Sequence, residues 1–397
     1  MGGNPGINHH ASAGLRPGGL SRRALAQGVA WSTPALFGAS SPKATASSCL
    51  TSQTHTWSSP GVYTLTIPAG CSEIAFTVAG GGGGFSFNPA NPAGLGAKYS
   101  GSFTRPTRKP FSLTIVVGGG GEGGGNDVAH RGGGGYGKGG DTQTNARVVG
   151  NSGAGGGGSA ILLGEVAAND PIVVAGGGAG ADWNWASGTN DCVHHTVHLW
   201  DPIAVSRGNG GLPTGGNGQR PLRAWISDHA NTSMVYGRLF IQGGEGALRE
   251  FGGYGGGQDP SYLNSFTKPV AELYGGAVQG ETSPGGNGGD HGTGSNGGGD
   301  GGAGALPWGT MRLDAWMTAN GGLSGAGGGG GFAGGGGGSS GVMNDTTCAR
   351  WIAMATAGGG GSSYTRGTPT TPVSVGTSGY GGVGSVKGAD GFVTLSW

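Results

Sequence analysis

LTIVVGGGGEGGG, residues 113–125, holds the reading that decides the fold: a run of bulky, largely β-branched residues passes without a break into a glycine block. Three other segments repeat the arrangement, AFTVAGGGGGF (75–85), PIVVAGGGAGA (171–181) and WIAMATAGGGGSSY (351–364). Glycine loses more backbone freedom on folding than any other residue and brings no side chain to bury. Blocks joined to strand-forming runs therefore point to an ordered glycine lattice rather than a tether.

The chain has 101 glycines in 397 residues, together with 10 Trp, 11 Phe and 9 Tyr, and a disordered Gly/Ser tether has no use for so many aromatic rings. Collagen is excluded, because no strict three-residue period holds and proline stands at only 20 residues. The ordered alternative is a set of left-handed, polyproline-II-like glycine helices packed side by side. Without Cβ atoms their backbones approach closely enough to pair N–H with C=O, assisted by Cα–H···O contacts.

Apolar runs at 63–67, 74–79, 111–117, 160–163, 172–175, 235–242, 352–357 and 392–397 read as strands. In the first, Tyr63, Leu65 and Ile67 alternate with Thr64 and Thr66; in the last, Val393, Leu395 and Trp397 alternate with Phe392, Thr394 and Ser396. Period-two patterning predicts half-buried antiparallel sheets, with the first and last strands paired. The expected fold class is mainly β: an antiparallel, jelly-roll-like sandwich joined to a bundle of glycine helices, with very little α-helix. It forms one domain over 47–397, without the fixed repeat of a solenoid. Residues 182–236, poor in glycine and rich in Trp and His, read as a long inserted loop.

The N-terminus reads as an export signal over residues 1–46. Ser21, Arg22, Arg23, Ala24 and Leu25 form a twin-arginine start, a mildly apolar stretch follows, and Ala44, Thr45 and Ala46 make a small-x-small cleavage site. This predicts a bacterial product that is secreted or held at the cell surface. Removal of the segment leaves 17 Lys+Arg against 20 Asp+Glu, a net of −3, which offers no footprint for nucleic acid or an anionic membrane. Downstream apolar runs are too short for a transmembrane helix. Cys49, Cys71, Cys192 and Cys348, an even count in an exported chain, read as two disulfides; Cys49 with Cys71 and Cys192 with Cys348 is the favoured pairing of three possible ones.

The strand-to-glycine junctions, the block GAGGGGGFAGGGGGSSG (325–341), the GGGGSSY unit (358–364) and the closing strand GFVTLSW (391–397) resemble the glycine-rich domain of the anaplastic lymphoma kinase and leukocyte tyrosine kinase receptors. The likeness spans roughly 67–397. It implies a tumour-necrosis-factor-like β-sandwich carrying polyglycine helices, a unit that binds a protein ligand in those receptors. No V-A-I-K strand, H-R-D loop or D-F-G triplet occurs, so the resemblance implies no kinase activity. Tail-fibre adhesins of some bacterial viruses offer a related analogy, a glycine-helix body that presents receptor-binding loops.

Within 182–236, Trp183, Trp185, Trp200 and Trp225 are candidates for a stacking platform toward a glycan or protein ligand, with His194, His195 and His198 beside them. Packing of these rings against glycine helices is the competing reading. Asp191, the three histidines and Asp201 could ligate a metal, with His195 and His198 on one face of a turn, but surface histidines beside a disulfide are the preferred explanation. GGNGGD (285–290) matches a single calcium nonapeptide and lacks its following apolar residue. G-x-G-x-x-G matches carry no weight at this glycine density. Only near misses to G-x-S-x-G occur, as at Ser152, and no carboxylates pair in an apolar setting. No cofactor or catalytic residue is assigned. The expected function is non-enzymatic, a rigid scaffold for extracellular binding or adhesion toward a protein or glycan. A secreted hydrolase with an unrecognised site and an ice- or crystal-binding protein are the alternatives.

Overall fold

The computed structural model describes residues 52–71, 73–86, 92–104, 109–124, 129–143, 152–182, 184–187, 195–200, 208–211, 215–218, 222–228, 235–255, 278–283, 285–294, 296–305, 324–345, 350–366 and 387–397, all within the compact unit Ala46–Trp397. The expected export segment lies outside them. The described residues are mainly β, with one short 3-10 turn at Val166–Ala168.

Strands β1 (Thr54–Trp57), β2 (Gly61–Ile67), β3 (Glu73–Ala79), β4 (Lys98–Thr104), β5 (Phe111–Val117), β6 (Ser159–Leu163) and β7 (Pro171–Ala175) come first along the chain. They are followed by β8 (Asn184–Ser187), β9 (His195–Trp200), β10 (Leu222–Asp228), β11 (Val235–Ile241), β12 (Val278–Ser283), β13 (Ser340–Asp345), β14 (Arg350–Ala355), β15 (Tyr364–Thr365) and β16 (Phe392–Ser396). One antiparallel sheet has the order β1-β16-β3-β4 and a second the order β15-β7-β6-β5-β2. Ile74, Val78, Tyr99, Val393 and Leu395 of the first share one core with Ile67, Leu113, Ile115, Ile161 and Val173 of the second. The closing strand β16 pairs with β1 and β3, whereas Tyr63–Ile67 in β2 pairs with β5. The expected pairing of the Tyr63 run with the last strand is thus corrected: the short THTW strand takes that place.

Strands β5, β6 and β7 read as unbroken apolar runs because both their faces are covered. The face away from the common core, Val116, Ala160, Leu162 and Val174, packs on Tyr136 and Phe332, both supplied by glycine segments. Burial on two faces removes the alternation that a half-exposed strand keeps.

The glycine segments hydrogen-bond in steps of three. In 152–158, Gly153 and Gly156 donate to Ala181 and Gly178, Ala154 and Gly157 donate to Glu122 and Gly119, and Gly155 and Gly158 donate to Gly140 and Gly137. The same segment accepts from Gly81 and Gly84, from Gly133 and Tyr136, and from Gly327 and Gly330, all at 2.8–3.1 Å. One thread thereby touches six neighbours. Successive donors thus reach three different neighbours in turn, where a β-ladder alternates between two sides. Segment 324–331 repeats the pattern: Gly325, Gly328 and Gly331 donate to Ala305, Gly302 and Gly299.

Close approach is what requires glycine in the threads. A Cβ on Gly155 would lie 1.8 Å from the Gly328 carbonyl oxygen, and one on Gly118 would lie 2.2 Å from that of Gly157. Where threads run out of neighbours, Asn and Asp side chains supply the missing acceptor. Oδ1 of Asp141, Asn209, Asn217, Asp300 and Asp390 accepts from the backbone N–H of Gly132, Leu95, Gly246, Lys138 and Gly120, at 2.7–2.9 Å.

The expected loop at 182–236 is corrected, since β8, β9, β10 and the start of β11 lie within it. β8 joins the sheet β12-β13-β14-β8, and β9 to β11 form a separate sheet in the order β11-β10-β9. The period-two alternation of HTVHLW was present in the sequence but was masked by its polar and aromatic content.

Candidate functional site

The cross-strand register decides which of the expected binding residues meet. His198 stands opposite Trp225, and Trp200 opposite Arg223, while Arg238 and Phe240 continue the two rows on β11. His198, Trp200 and Trp225 therefore share one face of the three-stranded sheet, alongside two arginines. The other face carries Val197, Leu199, Ala224, Ile226 and Leu239. His195 pairs with Asp228 and falls on that opposite face, because a spacing of three along a strand changes sides. This corrects the turn geometry expected for His195 and His198. Trp185 belongs to another sheet, opposite Ala353. Trp183 and His194 lie outside the described residues, as do Asp191 and Asp201. Cys71 is disulfide-bonded, and the other three cysteines also lie outside the described residues.

A second surface was not anticipated. The segments 242–248, 251–255 and 285–293 present one residue in three to solvent: Glu245, Leu248, Phe251 and Tyr254, then Asn287, Asp290 and Thr293. Leu248, Phe251 and Tyr254 are 54%, 65% and 68% exposed, and the surface borders an open cleft of about 720 Å³. Leu248 and Phe251 exchange backbone hydrogen bonds across a two-residue turn in which Arg249 takes φ +54°, a conformation that favours glycine. Ser362 Oγ donates to the Arg249 carbonyl at 2.6 Å, and the His291 N–H donates to the Glu250 carbonyl at 2.8 Å, which fixes the turn. The sequence signal for this face was the three-residue spacing of bulky and polar residues within glycine, visible in LREFGGYGGG.

No family model matches the chain, and no curated protein matches it either. Function must therefore be read from these surfaces and from how they are held.

The residues of GGNGGD serve the lattice. Asn287 Oδ1 accepts from Gly255 N–H and Asp290 Oδ1 from Gly252 N–H, at 2.9 and 2.8 Å. Ser152 Oγ donates to the Ser324 carbonyl and is fully buried, an environment that ties the hydroxyl to the backbone. Among the described residues no group of three or more His, Cys, Asp or Glu is placed to hold a metal ion, and no helix is long and apolar enough to cross a membrane.

Beneath the turn stands an aromatic column. The His291 ring stacks on Phe332 at 3.9 Å, and Phe332 on Tyr364 at 4.5 Å. Tyr136 Oη donates to Asn169 Oδ1 at 2.5 Å, and Asn169 Nδ2 donates to the Gly297 carbonyl at 3.1 Å. Burial lowers the His291 pKa from its ordinary 6.5, opposed by the Phe332 backbone and the Glu250 carboxylate. A histidine whose folded pKa is depressed contributes stability that is present above its unfolded pKa and lost as pH falls through the lower folded value. The denaturation midpoint is therefore expected to drop as pH is lowered below about 6.5, the ordinary histidine value. His291→Phe should flatten that dependence in paired denaturant titrations; an unchanged slope would assign it to other groups.

Proposed function

We propose that this chain is a non-enzymatic, exported scaffold that holds binding surfaces rigidly outside the cell. In this reading the threads are polyglycine-II helices and the two-sheet base is a tumour-necrosis-factor-like jelly roll. Cys49 is the partner of Cys71, Cys192 pairs with Cys348, and the twin-arginine segment exports the protein already folded. The observation that carries the proposal is the six-neighbour hydrogen bonding of 152–158, in which each amide N–H from Gly153 to Gly158 donates to a neighbouring segment. Such a body has few soft directions. Elements that leave it, such as β11 into 242–247 and β12 into 285–290, inherit fixed positions at their thread ends.

Stiffness of this kind suits presentation, since a preorganised surface loses little entropy on binding. The exposed side chains of Leu248, Phe251 and Tyr254 give such a body a surface open to a ligand, and the row of His198, Trp200 and Trp225 that the β9 to β11 register assembles is proposed as a second one. The proposal is tested by amide hydrogen exchange together with a binding array. Thread amides at Gly155, Gly156 and Gly330 are expected to exchange only through global opening, and the labelled chain is expected to bind saturably to at least one extracellular glycan or protein. Exchange of those amides within seconds would remove the scaffold. Release of product from polysaccharide or peptide panels would replace it with an enzyme.

A further inference from the structure

We propose that the cleft beside Phe251 and Tyr254 binds an extended amino-sugar polysaccharide, laid along the threads. This deepens the scaffold reading and rests on it. The two rings are the most exposed of the large apolar side chains described, with Leu248 next to them, yet each stands on a backbone held by lattice bonds. Gly253 donates to Gly334, and Tyr254 accepts from Glu245. Exposed rings on a fixed backbone are platforms rather than loose surface residues.

The edges of the cleft are polar: Glu245, Asn287 and Asp290 line it together with the rings. Asn287 and Asp290 each commit Oδ1 to a thread N–H, which locks the side chain and leaves Asn287 Nδ2 and Asp290 Oδ2 for a ligand. Flat apolar platforms bordered by fixed amide and carboxylate groups match a pyranose, whose ring faces are apolar and whose edges carry hydroxyls. Phe251 and Tyr254 are one thread turn apart, about 9 Å at 3.1 Å rise per residue, so the platform suits a repeating chain better than a single sugar.

Charge selects among polysaccharides. Glu245 and Asp290 line the cleft, and among the described residues no Lys, Arg or His does, Arg249 standing in the adjoining turn outside the lining. Two carboxylates beside aromatic faces repel sulfated or uronic polymers and attract an ammonium group, which the rings also favour.

The test uses the full chain and measures affinity for glucosamine hexamer, cello-hexaose, oligoguluronate and oligolysine. The expected order places glucosamine hexamer first, cello-hexaose weaker and oligoguluronate without binding. Phe251→Ala and Tyr254→Ala should each weaken the hexamer at least tenfold without moving the thermal midpoint, because the rings are exposed. Glu245→Gln with Asp290→Asn should bring the hexamer down to the cello-hexaose level, since the amide oxygen introduced by the second change still accepts from Gly252 N–H. Retained affinity in the alanine variants, equal binding of oligoguluronate, no binding of any sugar, or tighter capture of oligolysine would each overturn the inference. A chain that still binds ligands on the array while failing these tests would leave the scaffold reading standing.

Discussion

Gly155→Ala is expected to destabilise the protein by at least about 4 kcal/mol, or to abolish folding, whereas Gly134→Ala is expected to be neutral or stabilising by up to about 1 kcal/mol. The two glycines lie on neighbouring threads and differ in one physical respect. The new Cβ at 155 would sit 1.8 Å from the Gly328 oxygen and 2.5 Å from its carbonyl carbon. Both are backbone atoms, so no rotamer change can make room, and moving them breaks the Gly140 N–H bond to the same oxygen. At 134 an added Cβ meets nothing within 4 Å, the site is exposed, and φ lies outside the left-handed region. There alanine acts mainly by restricting the unfolded chain. Denaturant unfolding of both variants decides the matter. Similar losses at the two positions would mean that glycine is needed for backbone freedom throughout and would remove the close-packing account.

The same contrast explains what the sequence could disclose. Strands β2, β3, β5, β6, β7, β11, β14 and β16 were legible because their apolar runs carry side-chain information. β4 was missed because Gly101 and four polar residues leave KYSGSFT with only Tyr99 and Phe103 apolar, and β12 because VQGETS has a single aliphatic residue. Thread pairing was illegible for a deeper reason, since a residue without a side chain cannot encode which neighbour it meets. That information sits instead in residues such as Asp390 and Asp300, whose carboxylates end particular threads, and in Ala154 and Ala326, which are fully buried among them. Of the expected site, the cross-strand meeting of His198 with Trp225 depends on a register that turn chemistry alone did not specify. The Phe251 and Tyr254 face was open to reading only once a three-residue period was known to apply.

Phe332→Ala is expected to cost about 3–5 kcal/mol. Phe332 interrupts the longest glycine block, GAGGGGGFAGGGGGSSG, at the point where the thread 324–331 ends and 333–339 begins. Its ring is 6% exposed and packs with Val116, Leu162 and Val174 on the outer face of the second sheet, stacked between His291 and Tyr364. Truncation leaves a void between the His291 and Tyr364 rings and the β-branched and aliphatic side chains of the sheet, so the cost depends on how far these can close in. The backbone bonds of Phe332 N–H to Ser362 and of Ala333 N–H to Ser362 Oγ remain available, so the two threads should stay joined to the lattice. The loss should therefore fall on the coupling between lattice and sheet. Unfolding followed by tryptophan fluorescence and by thread amide exchange should then separate into two transitions. Phe332→Leu, which refills most of the volume, should restore a single one. Coincident transitions in Phe332→Ala would show that the lattice and the sandwich are coupled elsewhere, with the aromatic column contributing stability but no linkage.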